Sequence, residues 1–141
     1  MTEESLRSKV LGDLKKTHMI YLATSSASQP RVRPVTMIHF DDKFWVFTGT
    51  DTAKVNQIRE NPNIEFCLPL QQGDNSGYIR GSGKAIIVHD STTKKTLANN
   101  TPFFKEYWKS SDDPTYTLLQ IIISEVEYLK PGDFAVKKFS P

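Results

Sequence analysis

The stretch of sequence that decides the fold is FWVFTGTDTAKVNQI, residues 44–58. Residues 44–47 are aromatic or β-branched, as in a β-strand, and residues 55–58 are typical of a helix. The junction between strand and helix contains three threonines and Lys54. Backbone N–H groups and the positive end of the helix dipole gather where a helix begins, and hydroxyl and ammonium donors add to them. The junction is therefore suited to hold a phosphate.

Arginine side chains upstream of the junction provide a second source of positive charge. Arg31 and Arg33 alternate in RVRPV, residues 31–35, so they lie on the same face of an extended strand. A guanidinium group offers several hydrogen-bond donors in a planar fork. The pattern predicts that a second cation reaches the phosphate bound beside Lys54.

The same junction also fits ordinary helix capping. Ser, Thr and Asp commonly precede helices as capping residues, and a lysine in this position is commonly solvated, so spacing alone favours capping over an anion site. Asp51 supports capping, because a carboxylate is a good N-cap but repels a phosphate. If the anion site forms, we expect Asp51 to point away or cap the helix while Thr50 and Thr52 face the ligand.

Length, charge and cysteine content limit the class of protein. The 141 residues suffice for one domain, residues 1–141, and the formal charge of +2 is spread among mixed charges, which argues against nucleic-acid binding. No apolar run reaches the roughly 20 residues of a membrane helix, and the acidic N-terminus is unlike a signal peptide, so we predict a cytoplasmic protein without membrane contact. The single cysteine, Cys67, is interpreted as a packing residue, and the three widely spaced histidines predict no metal site.

The remaining pattern predicts a mainly β (α+β) fold, a six-stranded antiparallel barrel with flanking helices. We place helices at residues 2–16, 52–60 and 90–100, a helical turn at 103–108, and strands at 19–24, 31–40, 44–48, 64–70, 78–89 and 116–129. Polar residues 71–77 predict a loop. Gly81 and Gly83 share one face of their strand and indicate a tight bend or the close approach of a ligand or a second backbone.

The order of five short motifs resembles that of the pyridoxamine 5′-phosphate oxidase-like flavoproteins, which are FMN-binding split barrels. The motifs are Arg33-Pro34-Val35, Phe47-Thr48-Gly49, Thr52-Ala53-Lys54-Val55, Asn61-Pro62 and Gly81-Ser82-Gly83-Lys84-Ala85. The likeness extends from about Leu6 to Leu129 and favours the branch called general stress proteins. It implies a six-stranded split β-barrel and a homodimer with FMN bound at the subunit interface.

The resemblance also assigns site residues by position. It implies that Arg33, Thr52 and Lys54 bind the phosphate and that Thr48 lines the cofactor. Backbone groups around Pro34 and Val35 are expected to face the polar edge of the flavin ring. Phe47 would contribute an apolar wall, and aromatic residues near Trp108, which could come from the other subunit, would cover the ring.

Departures from the oxidases argue against oxidation of pyridoxamine phosphate itself. Ala53 stands where the oxidases commonly carry an arginine, Ile38 stands where they place a lysine, and residues 134–139 contain no Arg-x-His pair. We therefore expect an FMN-dependent oxidoreductase that acts on a small-molecule substrate or electron donor, and we assign no catalytic side chain. Two alternatives remain open: a non-enzymatic flavin carrier or redox or stress sensor, and a split barrel that binds a deazaflavin or haem.

Overall fold

The computed structural model describes residues 2–141, and its strands outnumber its helices. The elements in chain order are α1 (Glu3–Leu14), β1 (His18–Ser26), β2 (Gln29–Phe40), β3 (Lys43–Gly49), α2 (Ala53–Glu60), β4 (Asn63–Gln72), β5 (Asn75–Val88), α3 (Ser91–Asn100), a 3-10 helix (Pro102–Glu106), β6 (Tyr116–Leu129) and β7 (Lys137–Phe139). Each predicted helix and strand is present, with ends shifted by a few residues. The predicted mainly β class with flanking helices is confirmed.

Six antiparallel strands close into a barrel. Their order is β3-β2-β1-β4-β5-β6, and β3 pairs again with β6, where Phe44 lies opposite Ile121 and Gly49 opposite Tyr116. The short strand β7, which we did not predict, pairs with the far end of β6 through Val126 and Phe139. Three residues are too few to produce a recognisable alternation, so β7 depends on its partner strand rather than on its own pattern.

The predicted loop at residues 71–77 is wrong, because the two strands continue almost to their connection. Gln71 pairs with Ser76 and Gln72 with Asn75, which leaves only Gly73 and Asp74 in the turn. Gly73 has φ +59°, a conformation that glycine adopts without strain. Both faces of this hairpin end are largely exposed, so its polar residues carry no strand-like alternation.

The interior of the barrel and its outer layer form two apolar clusters. Ile20, Leu22, Met37, Val46 and Phe66 are buried in the interior cluster, to which α1 adds Val10 and Leu14. The second cluster lies between α3, the 3-10 helix and the strands, and contains Ile38, Trp45, Leu97, Phe104, Tyr116 and Leu118. This second layer positions the 3-10 helix beside the end of β3.

The two glycines of β5 stand where other groups approach closely, as predicted. A Cβ atom at Gly81 would lie 2.3 Å from the Phe66 ring, and one at Gly83 would lie 1.8 Å from the Ile122 carbonyl oxygen. The register between β5 and β6 shifts at Ser82/Gly83. None of the helices in residues 2–141 is both long and apolar enough to cross a bilayer.

Candidate functional site

A cleft of about 340 Å³ lies between β2, the end of β3, the start of α2 and the 3-10 helix. It brings together most of the residues that the sequence predicted for a site. The predicted residues that line it are Pro34, Val35, Phe47, Thr48, Thr52, Lys54 and Trp108. Its other lining residues are Thr36, Gly49, Phe103 and Tyr107.

Lys54 provides the positive charge within the cleft. Its Nζ donates a hydrogen bond of 2.5 Å to Thr48 Oγ1, and Thr52 Oγ1 lies 3.4 Å from the same hydroxyl. Burial, together with the positive charge of Arg33, lowers the pKa of Lys54 below its usual 10.5. Within residues 2–141, no carboxylate forms an ion pair with Lys54. An anion bound here would therefore stabilise the charged lysine.

Arg33 lies beside the cleft rather than on its lining surface. Its Nη1 donates to the Leu22 carbonyl oxygen at 3.1 Å and to Thr24 Oγ1 at 2.9 Å, and its Nη2 donates to Gln57 Oε1 at 2.9 Å. Burial, followed by the charge of Arg31, lowers the pKa of Arg33. Arg33 makes no ion pair with the part of the chain that the structure describes. Two adjacent cations thus share one region without a balancing negative charge.

The start of α2 lacks the side-chain cap that spacing alone favoured. Thr52 is the N-cap residue, but its hydroxyl donates to the Gly49 carbonyl oxygen at 2.9 Å instead of accepting from a helix N–H. The other two α-helices are capped, α1 by Thr2 and α3 by Asp90. Asp51 is exposed and makes no hydrogen bond with residues 2–141, so it does not cap α2 either. The first N–H groups of α2 therefore remain available as donors.

Thr50 is the predicted residue that the structure does not bring to the cleft. Its Oγ1 donates to the Pro114 carbonyl oxygen at 2.8 Å and lies 2.9 Å from Thr117 Oγ1. Its backbone N–H also donates to the Thr115 carbonyl oxygen. These bonds attach the junction to the start of β6, so the Thr50 hydroxyl is used for structure.

Aromatic side chains form the opposite wall of the cleft. The Phe47 ring packs edge-on against Phe103 at 5.7 Å, Phe104 at 5.4 Å and Trp108 at 6.3 Å between ring centroids. Trp108 Nε1 donates to Thr115 Oγ1 at 3.2 Å, which orients the indole. Trp108 and Phe47 thus belong to the same cleft within one chain, without a contribution from another subunit.

Sequence reasoning missed the contributions of Phe103, Tyr107 and Gln57. The aromatic run at residues 103–108 was the available signal for the first two. Gln57 follows Lys54 by three residues, a spacing that places both on one side of a helix. Its role depends on Arg33 and Thr24, which are distant in sequence, so no local pattern indicates it.

The cleft contains few groups that can exchange protons. Lys54 and Tyr107 are its ionisable lining residues, and no Asp, Glu, His or Cys lines it in the described part of the chain. Residues 2–141 also contain no group of three or more His, Cys, Asp or Glu side chains arranged to hold a metal ion. The arrangement can bind an anionic, partly aromatic molecule, and it offers little acid–base chemistry of its own.

Comparison with known proteins yields relatives over nearly the whole chain. General stress protein 26 of Bacillus subtilis (strain 168) is 25% identical over 134 residues, 94% of each chain. Pyridoxine/pyridoxamine 5′-phosphate oxidase of Crocosphaera subtropica (strain ATCC 51142 / BH68) is 29% identical over 97 residues, which are 65% of this chain and 40% of that protein. The crystal structure of General Stress Protein 26 from Bacillus anthracis str. Sterne superposes with a TM-score of 0.75 at 24% identity, covering 96% of this chain and 98% of that one.

The family model described as "Pyridoxamine 5′-phosphate oxidase like" matches residues 5–139. This match confirms the resemblance drawn from the five sequence motifs, and the similarity to general stress protein 26 agrees with the branch that they favour. The chain therefore belongs to the pyridoxamine 5′-phosphate oxidase-like family.

Proposed function

We propose that the chain binds FMN in the cleft beside Lys54 and acts as a flavin-dependent oxidoreductase on a small molecule. One observation carries the proposal. Lys54 and Arg33 lie close together without an ion-pair partner in residues 2–141, at the start of a helix that has no side-chain cap. Unbalanced, partly buried positive charge is costly, and a phosphate dianion would offset that cost.

The remaining residues of the cleft suit the rest of the cofactor. Phe47 and Trp108 provide apolar faces for a ring, and backbone groups of residues 34–36 lie on the same cleft for its polar edge. A volume of about 340 Å³ falls within the range of small-molecule sites. We assign the phosphate to Lys54, Thr52 and the first N–H groups of α2, with Arg33 as the supporting cation.

We further propose a homodimer in which a second copy borders the cleft. Met19, Tyr21 and Val32 are 59%, 41% and 68% exposed on neighbouring strands, and Tyr21 pairs with the cleft residue Pro34. Apolar exposure of this kind favours an interface between copies. The single cysteine, Cys67, cannot form an internal disulfide, which agrees with the cytoplasmic location that we propose.

A bound flavin would supply electron and hydride transfer, while the chain binds, orients and shields it. Lys54 holds the anionic end, and the aromatic wall excludes water from the ring. We do not expect turnover of pyridoxamine phosphate, because Ile38, at the position of a lysine in the oxidases, is buried in the outer apolar cluster. That side chain offers no charge to a substrate phosphate.

A second candidate function, a flavin carrier or redox sensor without turnover, is supported by the lining of the cleft. Its ionisable residues in the described chain are Lys54 and Tyr107, so proton transfer to a substrate has little support from side chains. Anaerobic addition of NADH or NADPH to the flavin-loaded protein separates the two functions. Bleaching followed by reoxidation with an acceptor over many cycles supports the oxidoreductase, and its absence with every donor tested supports the carrier.

The first experiment identifies the ligand and then removes its proposed anchor. Acid release and mass measurement distinguish FMN from a deazaflavin or haem, and calorimetric titration then compares wild type with Lys54→Met. Loss of one charged hydrogen bond should weaken FMN binding by about one to two decades. The matched control is Lys16→Met, at an exposed lysine beyond the end of α1. Recovery of a deazaflavin or haem, or equal FMN affinity in the two variants, would contradict the proposal.

A further inference from the structure

Gln57 joins α2 to both arginine-bearing and hydroxyl-bearing strands of the barrel. Its Oε1 accepts one hydrogen bond from Arg33 Nη2 at 2.9 Å and another from Thr24 Oγ1 at 2.5 Å. Thr24 Oγ1 in turn accepts from Arg33 Nη1 at 2.9 Å. The three side chains form a closed triangle of hydrogen bonds, and Thr24 is buried at 3% exposure.

The identity of the amide atom follows from the chemistry of its partner. A guanidinium only donates, so the Gln57 atom that faces Arg33 must be its carbonyl oxygen. Arg33 uses three of its five N–H groups on Leu22, Thr24 and Gln57. The other two have no acceptor in residues 2–141 and remain for a ligand.

The neutral character of Gln57 matters as much as its geometry. A carboxylate at this position would form an ion pair with Arg33 and cancel the charge that a phosphate needs. An amide holds the guanidinium in place and leaves its charge intact. Because Gln57 is three residues after Lys54, the same helix that presents the lysine also determines where the arginine lies.

We propose that Gln57, supported by Thr24, is a positioning residue that keeps Arg33 beside Lys54 and makes the cleft selective for flavins that carry a 5′-phosphate. The proposal rests on the proposed FMN function. It predicts that the triangle contributes to binding of the phosphate and not to binding of the ring. A role limited to folding would affect both ligands alike.

The test compares FMN with riboflavin, which has the same ring and no phosphate. Ligand-dependent thermal stabilisation at a series of concentrations yields dissociation constants for both, including weak ones. Gln57→Met keeps the length of the side chain and removes the acceptor, and it should weaken FMN about tenfold while riboflavin affinity stays within about twofold of wild type. Gln57→Glu keeps an acceptor but neutralises Arg33, and it should weaken FMN at least as much.

Control variants separate positioning from general damage. Thr24→Val should reproduce the selective loss of FMN affinity, and Thr24→Ser should restore it. Gln72→Met, at an exposed end of β4, should leave both affinities unchanged, whereas Trp108→Ala should weaken both ligands.

Wild-type FMN affinity in Gln57→Met, or an equal loss for both ligands, would overturn the inference. Failure of the wild-type chain to bind FMN would instead overturn the proposed function.

Discussion

At the scale of single residues, Lys54 and Arg33 are the least balanced groups in the cleft region. Both are partly buried, each has a pKa lowered first by burial, and the charge of Arg33 adds to the shift of Lys54. A protein retains such a conflict where a ligand resolves it. The conflict also makes binding depend on pH in a direction that can be worked out.

The FMN affinity should fall as the pH rises through the Lys54 pKa of the free chain, which lies below 10.5. Phosphate favours the charged lysine, so deprotonation costs binding. The free chain should behave oppositely: between the folded and unfolded pKa values the unfolded chain binds more protons, so folding stability rises with pH. Dissociation constants measured across the alkaline range provide the check.

Lys54→Arg is the control for this titration, because arginine stays protonated throughout the range. Its FMN affinity should decline less with pH than that of wild type. Parallel pH profiles for the two proteins would show that Lys54 is not the titrating group.

At the scale of the elements, β5 depends on close packing that only glycine permits. The Phe66 ring of β4 fills the space over Gly81 and is itself 1% exposed, so it has little room to move. This contact lets the paired strands coil sharply inside a small barrel.

Gly81→Ala should destabilise the protein by about 1–3 kcal/mol, because its Cβ would overpack against the ring. Urea denaturation measures the change, and the second substitution Phe66→Leu should recover part of the loss. Gly12→Ala is the matched control, since a Cβ at Gly12 in α1 meets nothing within 4 Å. It should stabilise the protein by about 0.5–1 kcal/mol. Equal effects at the two glycines would refute the packing argument.

At the scale of the whole molecule, barrel closure places the cleft and the exposed apolar face on adjoining strands. Val32 and Pro34 alternate on β2, and Tyr21 of β1 lies opposite Pro34. A second copy on this face would therefore contact the rim of the cleft, so assembly and cofactor binding should be coupled.

Val32→Asp should convert the dimer to a monomer and weaken FMN binding, because it places a charge in the proposed interface. Sedimentation velocity measures the assembly, and circular dichroism verifies that the barrel remains folded. Val32→Thr, which keeps the shape without a charge, should remain dimeric. A monomeric wild-type chain would rule out the proposed dimer.

The sequence by itself determined the elements and the chemical character of the site. Alternation in β1 and the proline after Asn61 are local signals, and so is the position of Lys54 at a helix start, which places it on the cleft. Residues 71–77 misled because a hairpin exposed on both faces has no apolar alternation.

Only the tertiary structure decided how distant residues meet. Barrel closure by β3 and β6, the addition of β7 and the turn of Thr50 toward Pro114 all join segments far apart in sequence. The same holds for the triangle of Thr24, Arg33 and Gln57, whose ends are 33 residues apart. Local preferences contain no information about such pairs, because their geometry exists only once the barrel has closed.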